Sequence, residues 1–222
     1  MPDFNQISRH INQYKEEGKK LFVSSSFQTH SLPLLHMLSR IDKDIPVVFL
    51  QTGFHFPETI TFRDEVLQLL GMQMIELRST TPPVMQLNDK GRLLYTSDPD
   101  YCCYLNKIAP MEPMLAAYDI WINGVRGDQN ANRSTFSLEQ PTHSRAVRYH
   151  PIIDWDGKQI YQYINEFNLP RHPLDDKGYI SVGCEPCTRK FDAAMLNDER
   201  GSRWFGMQKT ECGLHTELIQ QP

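Results

Sequence analysis

The sequence predicts an α/β fold, a mostly parallel sheet flanked by helices. Two observations carry that expectation. Short apolar runs bounded by turn residues alternate with longer segments of helical periodicity. Strand and helix follow one another in order, the pattern of parallel strands joined by crossover helices. A third observation bounds the size: 222 residues with 40% hydrophobic content suffice for one sizeable core, not two full domains.

The elements follow in order. Leu21-Phe22-Val23 reads as a short buried strand running into the loop Ser24–Ser31. Leu32 to Leu38 opens a helix, with Pro33 tolerated near its start and Ser31 a candidate cap. Ile45 to Leu50 is the second strand, ending at Gln51-Thr52-Gly53. Pro57 to Leu70 carries apolar residues at helical spacing and stops at Gly71; Met72 to Leu77 is the third strand. A helix from about Ile108 to Tyr118 precedes a fourth strand, Asp119 to Gly124. A fifth strand near Val147 leads to a helix over Lys158–Phe167. Thr80–Tyr101 and Arg126–Arg145 read as irregular.

Composition excludes several classes. The net charge of −4 gives no general footprint for nucleic acid, so an anionic ligand needs a local basic pocket. No run is apolar for long enough to span a bilayer. The polar N-terminal segment lacks a secretory apolar core, which points to the cytoplasm. A reducing compartment also suits five cysteines used as ligands and nucleophile.

Those cysteines are the sharpest signal. Cys102 and Cys103 are adjacent, Cys184 and Cys187 form a Cys-x-x-Cys run, and Cys212 stands apart. A disulfide between neighbours is strained, because a trans peptide holds their Cα atoms about 3.8 Å apart. One tetrahedral zinc is an awkward host for adjacent ligands. A 4Fe-4S cubane offers neighbouring irons, one for each thiolate. Structural zinc, and unligated or disulfide-paired thiols, remain the alternatives. Cys212, between Lys209 and His215, has the cationic surroundings of a nucleophile, against the plain reading of an exposed thiol near a chain end.

The serine loop lies where a parallel sheet binds ligands, at the carboxyl end of a strand. Its hydroxyls and N–H groups suit either an anion or helix capping. It lacks the Gly-Lys-Ser/Thr ending of a Walker loop.

The motifs together resemble a known family. Ser24-Ser25-Ser26-Phe27, Cys102-Cys103, Gly183–Lys190 (GCEPCTRK), Arg200–Trp204 (RGSRW) and Lys209–His215 (KTECGLH) look like the assimilatory adenylyl-sulfate reductases, grouped with phosphoadenylyl-sulfate reductases. The likeness runs from about residue 20 to 216. It implies an adenine-nucleotide α-hydrolase-like fold related to ATP pyrophosphatases. Those relatives grip pyrophosphate with a Ser-Gly-Gly-x-Asp-Ser loop. Its glycines are missing here, which argues against ATP cleavage.

The resemblance implies thioredoxin- or glutaredoxin-dependent reduction of adenylyl sulfate, or its 3′-phosphorylated form, to sulfite through a sulfonate on Cys212. It implies a 4Fe-4S cluster on Cys102, Cys103, Cys184 and Cys187. Lys107 matches a lysine linking cluster and substrate; Arg133, Arg200, Arg203 and His215 match substrate-binding positions; Ser24, Ser26, Leu50, Thr52 and Gly124 match the nucleotide side. The expected division is residues 1–205 as one sulfonucleotide- and cluster-binding domain and 206–222 as a mobile segment carrying Cys212. Two departures stand out. Cluster-bearing members often carry Glu-Asp where this chain has Thr29-His30, and a histidine where it has Pro99.

Rival readings are a strict phosphoadenylyl-sulfate reductase, a nucleotide-dependent sulfur-transfer enzyme acting on tRNA, and a zinc-stabilised interaction module. The tRNA enzyme would want a Gly-Gly-x-Asp loop and a basic face, and neither is visible. The zinc module leaves Cys212, the arginine-rich tail and the serine loop without roles. The expected partners are a sulfonucleotide and a thioredoxin-like donor, not nucleic acid or membrane; a homo-oligomer is left open.

Overall fold

The computed structural model describes residues 4–192, 202–204, 209 and 211–218. The described strands are β1 (Leu21–Ser24), β2 (Val47–Leu50), β3 (Met74–Leu77), β4 (Ile120–Asn123), β5 (Glu139–Pro141) and β6 (Val147–Tyr149). They form one sheet in the order β3-β2-β1-β4-β6-β5. All neighbours are parallel except β5, which runs antiparallel to β6 at the edge. The mostly parallel sheet read from the sequence is therefore the sheet observed.

Side chains alternate across that sheet, as the pleat requires. Val23, Val47, Phe49 and Ile122 face one core, while Phe22, Val48 and Trp121 face the other. Four helices cover the first face: α1 (Phe4–Glu16), α2 (Leu32–Ile41), α3 (Pro57–Leu70) and α7 (Gly157–Glu166). The second face is covered by Met111, Met114 and Leu115 of α6 (Ala109–Ala117) and by Leu218 from the tail. The tail is thus built into a core, with Leu218 fully buried.

Several local expectations need correction. Helix α1 went unread because only Ile7, Ile11 and Tyr14 are buried along an otherwise polar stretch. Strand β5 lay inside a segment read as irregular: Glu139-Gln140-Pro141 has no apolar alternation, and proline is tolerated at an edge. Ser31 occupies the cap position of α2 without a capping hydrogen bond, because a 3₁₀ turn over Thr29–Ser31 runs straight into the helix. The helix expected from Ile108 starts earlier. It runs through α5 (Pro99–Cys103), a π turn (Tyr104–Ile108) and α6; a short α4 (Leu94–Ser97) precedes it. Asp98 caps α5 by accepting the Tyr101 N–H at 2.9 Å. A π turn inside a helix often marks a functional site.

Gly71 ends α3 in the left-handed region at φ 63°. A Cβ there meets only the Lys43 ammonium, at 3.5 Å, so backbone strain rather than space limits substitution. Gly71→Ala is expected to cost about 1–2 kcal/mol in a urea titration, and Gly71→Asn, which tolerates this conformation, clearly less. Equal losses would mean that the left-handed cap is not what the glycine supplies.

Candidate active site

A cavity of about 200 Å³ opens at the carboxyl ends of β1, β2 and β4. It sits where the chain switches from building one side of the sheet to the other, the usual ligand position of such sheets. Ser24 and Ser26 line it from the loop after β1, Leu50 from the end of β2 and Gly124 from the end of β4. The Trp121 indole N–H donates to Ser24 Oγ at 2.7 Å and fixes that hydroxyl. Ser25 Oγ accepts the Phe27 N–H at 3.0 Å, and Phe27 is held at φ 53° although it is not glycine. Such strain costs about 1–2 kcal/mol and persists only where surrounding packing enforces it; Phe27 is fully buried.

The two residues that depart from the resembling family separate here. Thr29 is buried; its hydroxyl donates to Asp175 at 2.5 Å and accepts the His172 N–H at 2.9 Å. Its hydrogen bonds hold the fold together. His30 lines the cavity, and Arg126, fully buried, approaches its Nδ1 at 3.3 Å. Burial, then the Arg126 charge, pull the His30 pKa down to about 4.

A second, small cavity lies beside the first. Cys102 and Cys103 line it from α5, Cys184 and Cys187 from the turn around Pro186. That turn is tied to the loop after β2 by the Glu185 N–H, which donates to the Phe54 carbonyl at 2.7 Å. Thr52, read as a nucleotide-side residue, lines this second cavity instead, with Oγ1 3.3 Å from Cys184 Sγ. Asn106 Nδ2 stands 3.6 Å from Cys102 Sγ. None of the five cysteines is joined in a disulfide. Burial, then the neighbouring Cys184 and Cys187, push Cys102 up to about 11. Among the described residues no three His, Cys, Asp or Glu side chains already stand in a coordination geometry. The donor set nevertheless suits a thiolate-bound group: four sulfurs face one space, and polar groups are directed at two of them.

Lys107 lines both cavities from the π turn. Its Nζ stands 3.7 Å from Cys212 Sγ. Burial works to lower its pKa, but the fields of Cys103, Cys212 and Cys184 outweigh it and hold the ammonium protonated. Cys212 and His215 line the first cavity from the tail.

Two arginines hold that tail. Arg148, fully buried on β6, donates from Nη2 to His215 Nδ1 at 2.7 Å. A guanidinium only donates, so Nδ1 accepts and the His215 proton lies on Nε2. Arg133 lines the first cavity, but its Nε and Nη2 bind Glu211 at 2.7 and 3.0 Å, and its Nη1 binds Gln129. Arg203 lines the cavity beside Gly183, and its Nε donates to the Cys187 carbonyl at 3.2 Å. Arg200 lies outside the described residues. Sequence reasoning missed Arg148, Glu211, Arg126 and Asn106. Glu211 stood in view within the tail motif, but nothing in the chain pairs it with Arg133, seventy-eight residues away.

The phosphoadenosine phosphosulfate reductase domain matches residues 20–190. A phosphoadenosine 5′-phosphosulfate reductase of Gloeobacter violaceus is 38% identical over 89% of this chain and 83% of its own. An adenosine 5′-phosphosulfate reductase of Halalkalibacterium halodurans is 37% identical over 91% of this chain and 87% of its own. Among solved structures, the phosphate complex of the phosphoadenylyl-sulfate reductase from Candida auris superposes with a TM-score of 0.67. It shares 21% identity over 80% of this chain and 87% of that one. An NH3-dependent NAD synthetase of Campylobacter jejuni has a TM-score of 0.52 at 11% identity, covering 75% and 74%. The latter two likenesses bear on the fold, which is adenine-nucleotide α-hydrolase-like. With a domain match over most of its length and relatives above one third identity, the chain belongs to the phosphoadenosine phosphosulfate reductase family, oxidoreductases acting on a sulfur group.

Proposed function

We propose that the protein reduces adenylyl sulfate, with or without a 3′-phosphate, to sulfite in sulfate assimilation, using a dithiol donor of the thioredoxin or glutaredoxin type in the cytoplasm. The observation that carries this reading is Cys212 Sγ lining the cavity 3.7 Å from the partly buried Lys107 ammonium. A cation at that distance favours the thiolate, the nucleophilic form.

The Cys212 thiolate attacks the sulfate sulfur. A bond forms between the two sulfurs, the sulfur–oxygen bond to the nucleotide breaks, and AMP (or its 3′-phosphorylated form) leaves with the electron pair. Arg203 and the His215 Nε2–H, whose residues line the cavity, would meet charge on the sulfonate or departing phosphate. A donor thiolate then attacks Cys212 Sγ, and sulfite leaves with the electron pair. The donor's second thiol resolves the mixed disulfide, so the two electrons come from its dithiol. Cys212 is only 7% exposed, so the second attack requires the stretch carrying it to withdraw from the cavity.

Cys102, Cys103, Cys184 and Cys187 would hold a 4Fe-4S cluster. When bound, it supplies a compact negative centre against which Lys107 is fixed. At the nucleotide end, Ser24 and Ser26 supply hydroxyls. Asn123, buried in the same cavity, offers an acceptor without a hydrogen-bond partner among the described residues, which suits an exocyclic amine. His30, rather than an acidic residue, faces the cavity, which removes one source of repulsion against a 3′-phosphate.

Anaerobic protein given either sulfonucleotide without a donor should gain the mass of one sulfonate on the Cys212 peptide. Cys212→Ser should bind AMP and form no sulfite. An adduct on another cysteine, or sulfite from the serine variant, would contradict the assignment. Running both sulfonucleotides in parallel decides between broad use and a strict requirement for the 3′-phosphate.

Gly183 offers an independent test of Arg203. A Cβ there would stand 2.2 Å from the Arg203 Nη2 atom. Gly183→Ala is expected to displace that guanidinium and weaken AMP binding roughly tenfold, the worth of one charge-assisted hydrogen bond. Unchanged affinity in the variant would remove Arg203 from the substrate site.

A further inference from the structure

The Glu211 carboxylate is saturated. Arg133 Nε and Asn130 Nδ2 donate to its Oε2 at 2.7 and 2.9 Å. Arg133 Nη2 and the Cys212 backbone N–H donate to its Oε1 at 3.0 and 2.8 Å. Four donors fill the four lone-pair sites of the carboxylate. Both charged side chains are buried, at 5% and 4% exposure. The fork is bidentate, the geometry in which arginine holds a carboxylate most firmly. Every nitrogen of the Arg133 guanidinium already has a protein partner, because Gln129 takes Nη1.

We propose that Glu211 is a positioning residue: clamped by Arg133 and Asn130, its carboxylate holds the Cys212 backbone against the cavity, and Arg133 serves this clamp rather than the substrate. The proposal rests on the reading of Cys212 as nucleophile, since it assigns the clamp a purpose in that reaction. It runs against the match of Arg133 to a substrate-binding position. The carboxylate grips the backbone N–H of Cys212 itself, so the thiol's location follows the clamp directly. A buried ion pair broken on one side leaves an uncompensated charge, which makes docking sensitive to either partner.

The test uses holoprotein carrying Glu211→Gln, Arg133→Met or both. Each is treated with iodoacetamide without nucleotide, and modification is read on the Cys212 peptide. Both single variants are expected to alkylate Cys212 at least about tenfold faster than wild type, because each strands a buried charge. The double variant strands no charge but also lacks the clamp, so it should still alkylate clearly faster than wild type; a return to the wild-type rate would overturn the clamp. The AMP dissociation constant should stay within about threefold, while the single-turnover rate of sulfonate formation falls by about tenfold or more. A merely structural residue would not separate binding from rate in this way. Where a single variant does not fold, Glu211→Asp replaces it, keeping the charge but withdrawing the carboxylate by one methylene; accelerated alkylation is again expected.

Unchanged alkylation in both single variants would overturn the clamp. A gain in Glu211→Gln alone would also overturn it, since that is a field effect on the thiol. So would loss of AMP binding in Arg133→Met without a matching loss in Glu211→Gln, which would return Arg133 to the substrate. Faster alkylation with undiminished sulfite formation would leave the docking role standing and remove the assignment of Cys212 as nucleophile.

Discussion

The site depends on one partly buried ammonium, that of Lys107. Drawing a cation out of water is disfavoured unless opposite charge compensates it. This one persists because Cys103, Cys184 and Cys212 surround it with groups that become negative. The arrangement places the cation on the wall shared by two cavities, one lined by the four paired cysteines and one at the carboxyl ends of the strands. The π turn over Tyr104–Ile108 makes this possible. It lets a single helix present Cys102 and Cys103, then Asn106 and Lys107, around one small space.

The tail completes the first cavity by two kinds of contact. Leu218 enters the second core beside Ile108 and Met111, so burial of apolar surface draws the segment down. Polar contacts then set its register: Glu211 on Arg133, His215 on Arg148 and Lys209 on Asp100. Hydrophobic attraction alone is non-directional and would not place one sulfur to within an ångström. The polar contacts supply that direction. Covering Cys212 in this way suits the first displacement, where water must be excluded, and conflicts with the second, where a protein thiol must reach the same sulfur.

Much of the fold was legible because its signals are local. The apolar runs of β1, β2 and β4 are buried on both faces and stand out as strands. Gly71 marks the end of α3 in sequence. Strand β5 was illegible because an edge strand of Glu-Gln-Pro carries no burial pattern, and α1 because one apolar residue per turn is diluted by polar neighbours. In the site, cysteine spacing revealed a ligand-like set, and residue type with neighbouring charge singled out Cys212. What could not be read were long-range pairings. Neither Arg148 beneath His215 nor Arg133 on Glu211 leaves a trace in composition or periodicity. Thr29 shows the opposite error: its neighbour His30 does face the cavity, but the threonine turns inward to Asp175.

The central claim, that one cation joins the two cavities, is tested most directly in anaerobic holoprotein carrying Cys212→Ser, which should bind without turnover. Titration with adenylyl sulfate should perturb the visible absorption and circular dichroism of the thiolate-bound group. The same titration with Lys107→Met added should leave those spectra flat even at nucleotide saturation. An identical perturbation with and without the lysine would contradict the account.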